Sequence, residues 1–266
     1  GAPSAPPPTV YVVTPTYRRP TQAPDLLRVA QSLMLSHNIF WIVVEDATSY
    51  SNLVASIIKM SGLPSVCLLG PSPKGLHKPA HGRGVSGRRR ALQWLRQNAS
   101  LPGVLYFADD DNSYDFRLFD EIRWVRKVGV FPVGLVGRYG LSSPVVADGR
   151  VVAFHDSYDA GRSFRVDMAG FTVNLRLVLR AADSLDMPYA LGMQENRFLK
   201  SLNVTMADLE PLARNCTQAT LSRFSHFQVL VWHTKSVPSV FPRLRDVNKH
   251  FLQRNTNMKR LLYSVL

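Results

Sequence analysis

Four short apolar runs, separated by segments of helical periodicity, fill the first 112 residues. The first, 9–14, reads Thr-Val-Tyr-Val-Val-Thr, a β-branched strand that Pro15 closes. Residues 23–35 follow, with Leu26, Leu27, Ala30, Leu33 and Met34 at helical spacing. A second strand over 39–44 ends in Glu45-Asp46, and a helix over 53–60 is stopped by Gly62 and Pro64. A third strand, 65–69, leads into a loop over 70–84 rich in Gly, Pro, Lys and His. A helix over 85–98 and a fourth strand over 104–107 complete the series, with Asp109-Asp110-Asp111 just beyond.

Strands alternating with helices predict a parallel sheet with right-handed crossovers. Strands apolar along their whole length fit a sheet covered on both faces. Ligands of such sheets bind beyond the carboxyl ends of the strands. Three polar clusters stand there: Pro15-Thr16-Tyr17, Glu45-Asp46 and Asp109–Asp111. Their coincidence points to a site.

The second half is less regular. A helix is expected over 119–127, a strand over 131–136 and a hairpin over 145–154 broken by Asp148-Gly149. Residues 171–179 read as a buried strand or a short helix, 195–202 as a helix and 229–232 as a late strand leading into His233. Gly1–Pro8 is small and Pro-rich and reads as a linker or stem remnant.

The net charge of +13, from 32 Lys+Arg against 19 Asp+Glu, favours an anionic partner: nucleic acid, anionic polysaccharide, nucleotide or phosphorylated substrate. The two cysteines, Cys67 and Cys216, exclude a disulfide scaffold and leave one bridge, two thiols or an intermolecular bond open. No apolar run is long enough to span a bilayer. Asn98, Asn203 and Asn215 each begin a glycosylation sequon.

Three adjacent carboxylates after a buried strand require compensation by solvent or a cation. They read as a hard-oxygen site for magnesium or manganese shared with substrate phosphates, or as a solvated acidic turn. Arg83 and Arg88–Arg90, among glycines at a helix start, read as an anion site or as a solvated basic face. Glu195 opens a helix, where an acid also suits the dipole. Asp167 stands in a half-buried stretch. His233 is a ligand or a structural histidine, His77 and His81 are loop residues, and Trp41, Trp94, Trp124 and Trp232 read as core.

Taken together, these segments resemble the animal β-1,3-glucuronyltransferases, inverting nucleotide-sugar transferases. The strings are Tyr-Val-Val-Thr-Pro-Thr-Tyr (11–17), Val-Glu-Asp-Ala (44–47), Arg-Gly-Val (83–85) and Tyr-Phe-Ala-Asp-Asp-Asp-Asn (106–112). They continue as Pro-Val-Gly-Leu-Val-Gly (132–137), Asp-Gly-Arg-Val-Val (148–152), Val-Asp-Met-Ala-Gly-Phe (166–171) and Val-Leu-Val-Trp-His-Thr (229–234). The resemblance runs from about residue 9 to 234.

It implies an α/β fold of the GT-A type, with a mostly parallel central sheet flanked by helices and a smaller acceptor-binding subdomain. The expected division is a UDP-binding part at 9–112, an acceptor-binding part at 113–240 and a tail at 241–266, at the dimer interface. It implies UDP-glucuronate as donor, Mn2+ as cofactor and a galactose-terminated glycan as acceptor, with no nucleic acid partner. Pro15, Thr16, Tyr17 and Asp46 then hold the uridine, and Arg83 and Arg88 contact the donor. Asp109 and Asp110 face ribose and sugar, Asp111 ligates manganese, and His233 reaches the diphosphate. Glu195 matches the catalytic base. Arg162 and Asp167 match residues at the acceptor and reaction centre, and Tyr158 matches a stacking platform. The resemblance also implies a homodimer in the Golgi lumen, the catalytic part of a type II membrane protein whose anchor lies outside this chain, glycosylated at Asn215.

Ser142 stands where the family has an acidic acceptor contact, and Lys235 replaces an arginine of the donor site, keeping charge but losing the bidentate fork. Residues 218–227 look inserted. A transferase for another UDP-sugar, or a polyanion-binding protein on an inactive transferase fold, are the alternatives.

Overall fold

The computed structural model describes residues 6–76, 84–217 and 229–234. His77, His81, Arg83, Lys235, the segment 218–227 and the tail 241–266 lie outside the described residues.

The expected alternation is present: β1 (Thr9–Thr16), α1 (Gln22–Met34), β2 (Ile39–Glu45), α2 (Asn52–Ser61), β3 (Ser65–Leu69), α3 (Val85–Asn98) and β4 (Gly103–Phe107). Beyond it come β5 (Ser113–Tyr114), α4 (Arg117–Ile122), β6 (Val128–Val130), β7 (Val133–Gly134), β8 (Leu141–Ala147) and β9 (Arg150–His155). β10 (Phe171–Asn174), α5 (Leu175–Ala181), α6 (Gln194–Ser201), β11 (Leu209–Pro211) and β12 (Val231–Trp232) follow. A seven-stranded sheet has the order β11-β6-β10-β4-β1-β2-β3, and a five-stranded sheet the order β5-β12-β7-β8-β9. In the larger sheet only β10 runs against its neighbours. That sheet takes strands from both sides of residue 112.

Period-two alternation divides the core. Val10, Val12, Trp41, Val43, Val104 and Tyr106 face α1, α2 and α4. Tyr11, Val13, Ile42, Val44, Leu105 and Phe107 face α3, α5 and α6. Both faces of the central strands are therefore dry, and the runs have no polar phase. Trp41 is fully buried, and its indole N–H donates to Thr14 Oγ1 at 2.9 Å.

The chain winds from β1 outward to β3, then returns by α3 to place β4 on the other side of β1. This reversal leaves a crevice beyond the ends of β1 and β4. Gly87 of α3 makes the return possible. A Cβ there would lie 2.9 Å from Pro15 Cβ and 3.5 Å from Val44 Cβ. Gly87→Ala is expected to push α3 off β1 and β2, lower stability by about 1–3 kcal/mol and weaken nucleotide binding. Thermal denaturation with and without UDP checks this.

Four expectations are corrected. β1 continues past Pro15 to Thr16; Pro15 lies beyond the last β4 pairing, Val13↔Phe107, so its missing N–H breaks no bond on that side. The helix expected over 119–127 is α4, ending at Ile122. The backbone N–H groups of Arg126 and Lys127 donate to the Glu210 carboxylate at 3.0 and 2.6 Å, which takes them from a helix. Of the strand expected over 131–136 only Val133–Gly134 forms, as β7, while β6 lies before that range, at Val128–Val130, in the larger sheet. Trp124 is 66% exposed rather than core. Residues 171–179 hold both expected alternatives, β10 and then α5. Cys67 and Cys216 are both free thiols. Among the described residues no helix is long and apolar enough to cross a membrane.

Candidate active site

A cavity of about 410 Å³ opens at the switch point. The β1 end supplies Pro15, Thr16, Tyr17 and Arg18, the β2 end Asp46, the cap of α3 Gly84, and α3 itself Gly87 and Arg88. Asp109, Asp110 and Asp111 line it too, as does His233, which follows β12. The donor residues expected from sequence, Arg83 and Lys235 aside, therefore meet in one cavity.

The three adjacent aspartates do different things. Asp110 is 4% exposed and held by Thr16 Oγ1 at 2.6 Å and by Arg19 at 2.8 and 2.9 Å. Burial still raises its carboxyl pKa above the ordinary value, with Arg19 and Thr16 opposing. Asp109 is paired with Arg88, itself 3% exposed. Asp111 is partly exposed at the cavity wall, and its carbonyl accepts from the Thr234 hydroxyl. Asp46 accepts from the backbone N–H and the hydroxyl of Ser72, both at 2.6 Å.

Among the described residues no group of three or more His, Cys, Asp or Glu is arranged to hold a metal. One carboxylate facing a cavity is still a fitting donor for magnesium or manganese, ions that keep water and take phosphate oxygens as their remaining ligands.

Arg88 links this cavity to the second group of residues. Its Nη1 donates to Gln194 Oε1 at 3.3 Å, in the first turn of α6, beside Glu195. The Glu195 side chain is 14% exposed, and its Oε2 is buried without a hydrogen-bond partner. Burial pushes its pKa up to about 7; Asp167 adds to the rise, and Arg162 and Arg88 oppose it. Arg162 Nη1 lies 4.0 Å from Glu195 Oε2, beyond hydrogen-bond reach. Asp167 accepts from the Ala169 N–H at 2.9 Å and lies 3.8 Å from His233 Nε2. Burial raises the Asp167 pKa, with His233 opposing.

Tyr158 is 48% exposed, with the Arg162 guanidinium over its ring at 5.0 Å. The ring lies against Gly192 (φ +71°), where a Cβ would come within 2.3 Å of it. A half-exposed aromatic face beside a buried arginine can carry the apolar face of a sugar. Ser142 is not brought into this group: it is 3% exposed in β8, opposite Val133. Asn215 is exposed, in a left-handed turn at φ 58°.

Sequence patterns single out neither Arg19 nor Asp156. Arg19 follows Tyr17-Arg18 just past β1, and this position was the available signal. Asp156 had none.

A switch-point cavity with carboxylates and arginine at its walls is that of a nucleotide-binding α/β protein. The profile of glycosyltransferase family 43 matches residues 29–237, and the chain belongs to that family. It is 41% identical over 260 residues to galactosylgalactosylxylosylprotein 3-beta-glucuronosyltransferase S of Drosophila melanogaster, covering 97% of this chain and 60% of that protein. It is 42% identical over 238 residues to galactosylgalactosylxylosylprotein 3-beta-glucuronosyltransferase 2 of Homo sapiens, covering 86% of this chain and 69% of that protein. The chain thus spans between 60% and 69% of the length of these two curated relatives. The structure of the inositol-1-phosphate CTP transferase from T. maritima superimposes with a TM-score of 0.50 at 10% identity, over 96% of each chain. That likeness is one of fold, an α/β fold of the GT-A type.

Proposed function

We propose that this chain transfers glucuronate from UDP-glucuronate to a terminal galactose of a glycan, forming a β-1,3 linkage with inversion. The observation that carries the reading is Glu195: a buried carboxylate with an unbonded oxygen, tied through Gln194 and Arg88 to the wall of the nucleotide cavity. The relatives are named 3-beta-glucuronosyltransferases, which supports the sugar.

In this reading Tyr17, Pro15, Thr16 and Asp46 hold the uridine, and Asp109 and Asp110 face ribose and sugar. Arg83, Arg88, His233 and Lys235 meet the diphosphate and the glucuronate carboxylate as charge-assisted donors. Asp111 would hold manganese, which when bound neutralises charge on the diphosphate. Tyr158 supports the acceptor ring, and Arg162 and Asp167 orient it; Ser142, buried in β8, takes no part. Glu195 accepts the proton of the acceptor hydroxyl as its oxygen bonds to the anomeric carbon. The anomeric carbon–phosphate oxygen bond breaks with its electron pair, and UDP leaves from the opposite face. One displacement inverts the centre, so no glycosyl–enzyme intermediate is required.

The domain division at residue 112, the homodimer, residence in the Golgi lumen and glycosylation at Asn215 belong to the same proposal. Its test is incubation with manganese, a panel of UDP-sugars and galactose-terminated acceptors, reading UDP release and product. Turnover with UDP-glucuronate alone is expected. Turnover with another sugar instead would overturn the donor assignment. Retained binding of sulfated polymers, with no turnover by any donor, would replace the enzyme with a polyanion-binding protein.

A further inference from the structure

We propose that Asp156 is a positioning residue for the base: it holds and neutralises the Arg162 guanidinium, so that Glu195 is left as a proton acceptor rather than a salt-bridge partner. The inference rests on Glu195 being the base.

Asp156 follows β9 and turns the chain. Its Oδ1 accepts from the Tyr158 N–H at 2.8 Å and from Arg162 Nη2 at 3.1 Å. The two ion-paired side chains are 6% and 4% exposed. The other hydrogen-bond acceptors around Arg162 are neutral: the carbonyl of Tyr158, 3.2 Å from Nε, and that of Val166, 3.4 Å from Nη1. Arg162 therefore lies between two carboxylates, hydrogen-bonded to Asp156 and only near Glu195.

The balance matters because the site is buried. A guanidinium that closes on a carboxylate forms a strong, often bidentate pair and makes that carboxylate a weak base. The charged groups facing Glu195 are Arg162, Arg88 from α3, and Asp167 from the turn before β10. Asp167 in turn faces His233, Asp109 and Asp156 itself. Asp159, near Arg162 in the chain, is paired with Arg165 at 3.2 Å. His155, beside Asp156, is pushed down to about 4 by burial and supplies no charge at neutral pH. Without the charge of Asp156, Arg162 keeps only carbonyl and ring contacts, and Glu195 is the nearest carboxylate left to it.

Asp156→Asn tests this, because the amide oxygen still accepts the Tyr158 N–H while the charge is gone. The expected result is an acid limb of kcat/KM displaced to lower pH by about one unit or more. The side-chain carbon resonance of Glu195, titrated by NMR without substrate, should move by the same amount. UDP binding should be unchanged, and Asp156→Glu should restore the parent profile. If the Asn chain does not reach the parent's thermal transition, Asp156→Ser, whose hydroxyl also accepts the Tyr158 N–H, takes its place. A Glu195 titration identical in variant and parent overturns the inference, even if the rate falls. Turnover surviving in Glu195→Gln would instead overturn the base assignment, a separate outcome.

Discussion

Glu195→Gln is expected to lower turnover by about a thousandfold or more while leaving UDP affinity unchanged. The amide keeps the size and most contacts of the carboxylate but cannot take the acceptor's proton, and general-base assistance is worth about 10² to 10⁴ in rate. The nucleotide cavity is lined by Asp109–Asp111 and Arg88 and does not include Glu195, so calorimetry with UDP should not distinguish variant from parent. Normal turnover would remove Glu195 from the mechanism. The same substitution has a second, opposite effect. Burial raises the Glu195 pKa from 4.5 to about 7, so its ionisation opposes folding. The native state loses stability, relative to the unfolded chain, as pH rises from about 4.5 through about 7. At pH 8 Glu195→Gln should therefore be more stable than the parent, by up to about 3 kcal/mol, and the gain should vanish below pH 4. A variant that is inactive yet better folded at alkaline pH separates loss of chemistry from loss of structure.

Asp111→Ala carries the second large effect. Arg88 engages Asp109, Arg19 and Thr16 engage Asp110, and Asp111 is partly exposed where it lines the cavity. Removing it should abolish the gain in UDP affinity that manganese gives the parent, and lower kcat/KM by about a thousandfold, on the several-kcal/mol scale of metal assistance to a charged leaving group. UDP binding without metal should change little. A manganese titration indistinguishable from the parent's would show that the ligand is another residue.

The part of the fold that carries the nucleotide cavity was legible because its strands are buried on both faces. Residues such as Val12 and Val13 face different helices yet both must be apolar, which leaves a continuous signal. The irregular half was less legible because distant groups decide it. The helix after Arg117 stops where Glu210 captures two amides, more than 80 residues away in sequence. The acidic triplet was visible as a string, but its division of labour was not. Asp110 is held by Arg19, 91 residues distant, a partner that no local pattern marks. Glu195 was recognisable only through the resemblance. Its local signal, an acid in the first turn of a helix, is equally that of a dipole partner. The unbonded oxygen that sets it apart depends on Arg162 being held elsewhere, by Asp156.

The central claim is a single displacement of UDP from glucuronate by a galactose hydroxyl. The measurement that reaches it most directly is the proton NMR spectrum of the product formed from UDP-glucuronate, whose sugar is α-linked, and a galactose-terminated acceptor. The predicted product carries a new β-linked glucuronate on the galactose 3-hydroxyl. An α-linked product, or glucuronate on another hydroxyl, would contradict the account.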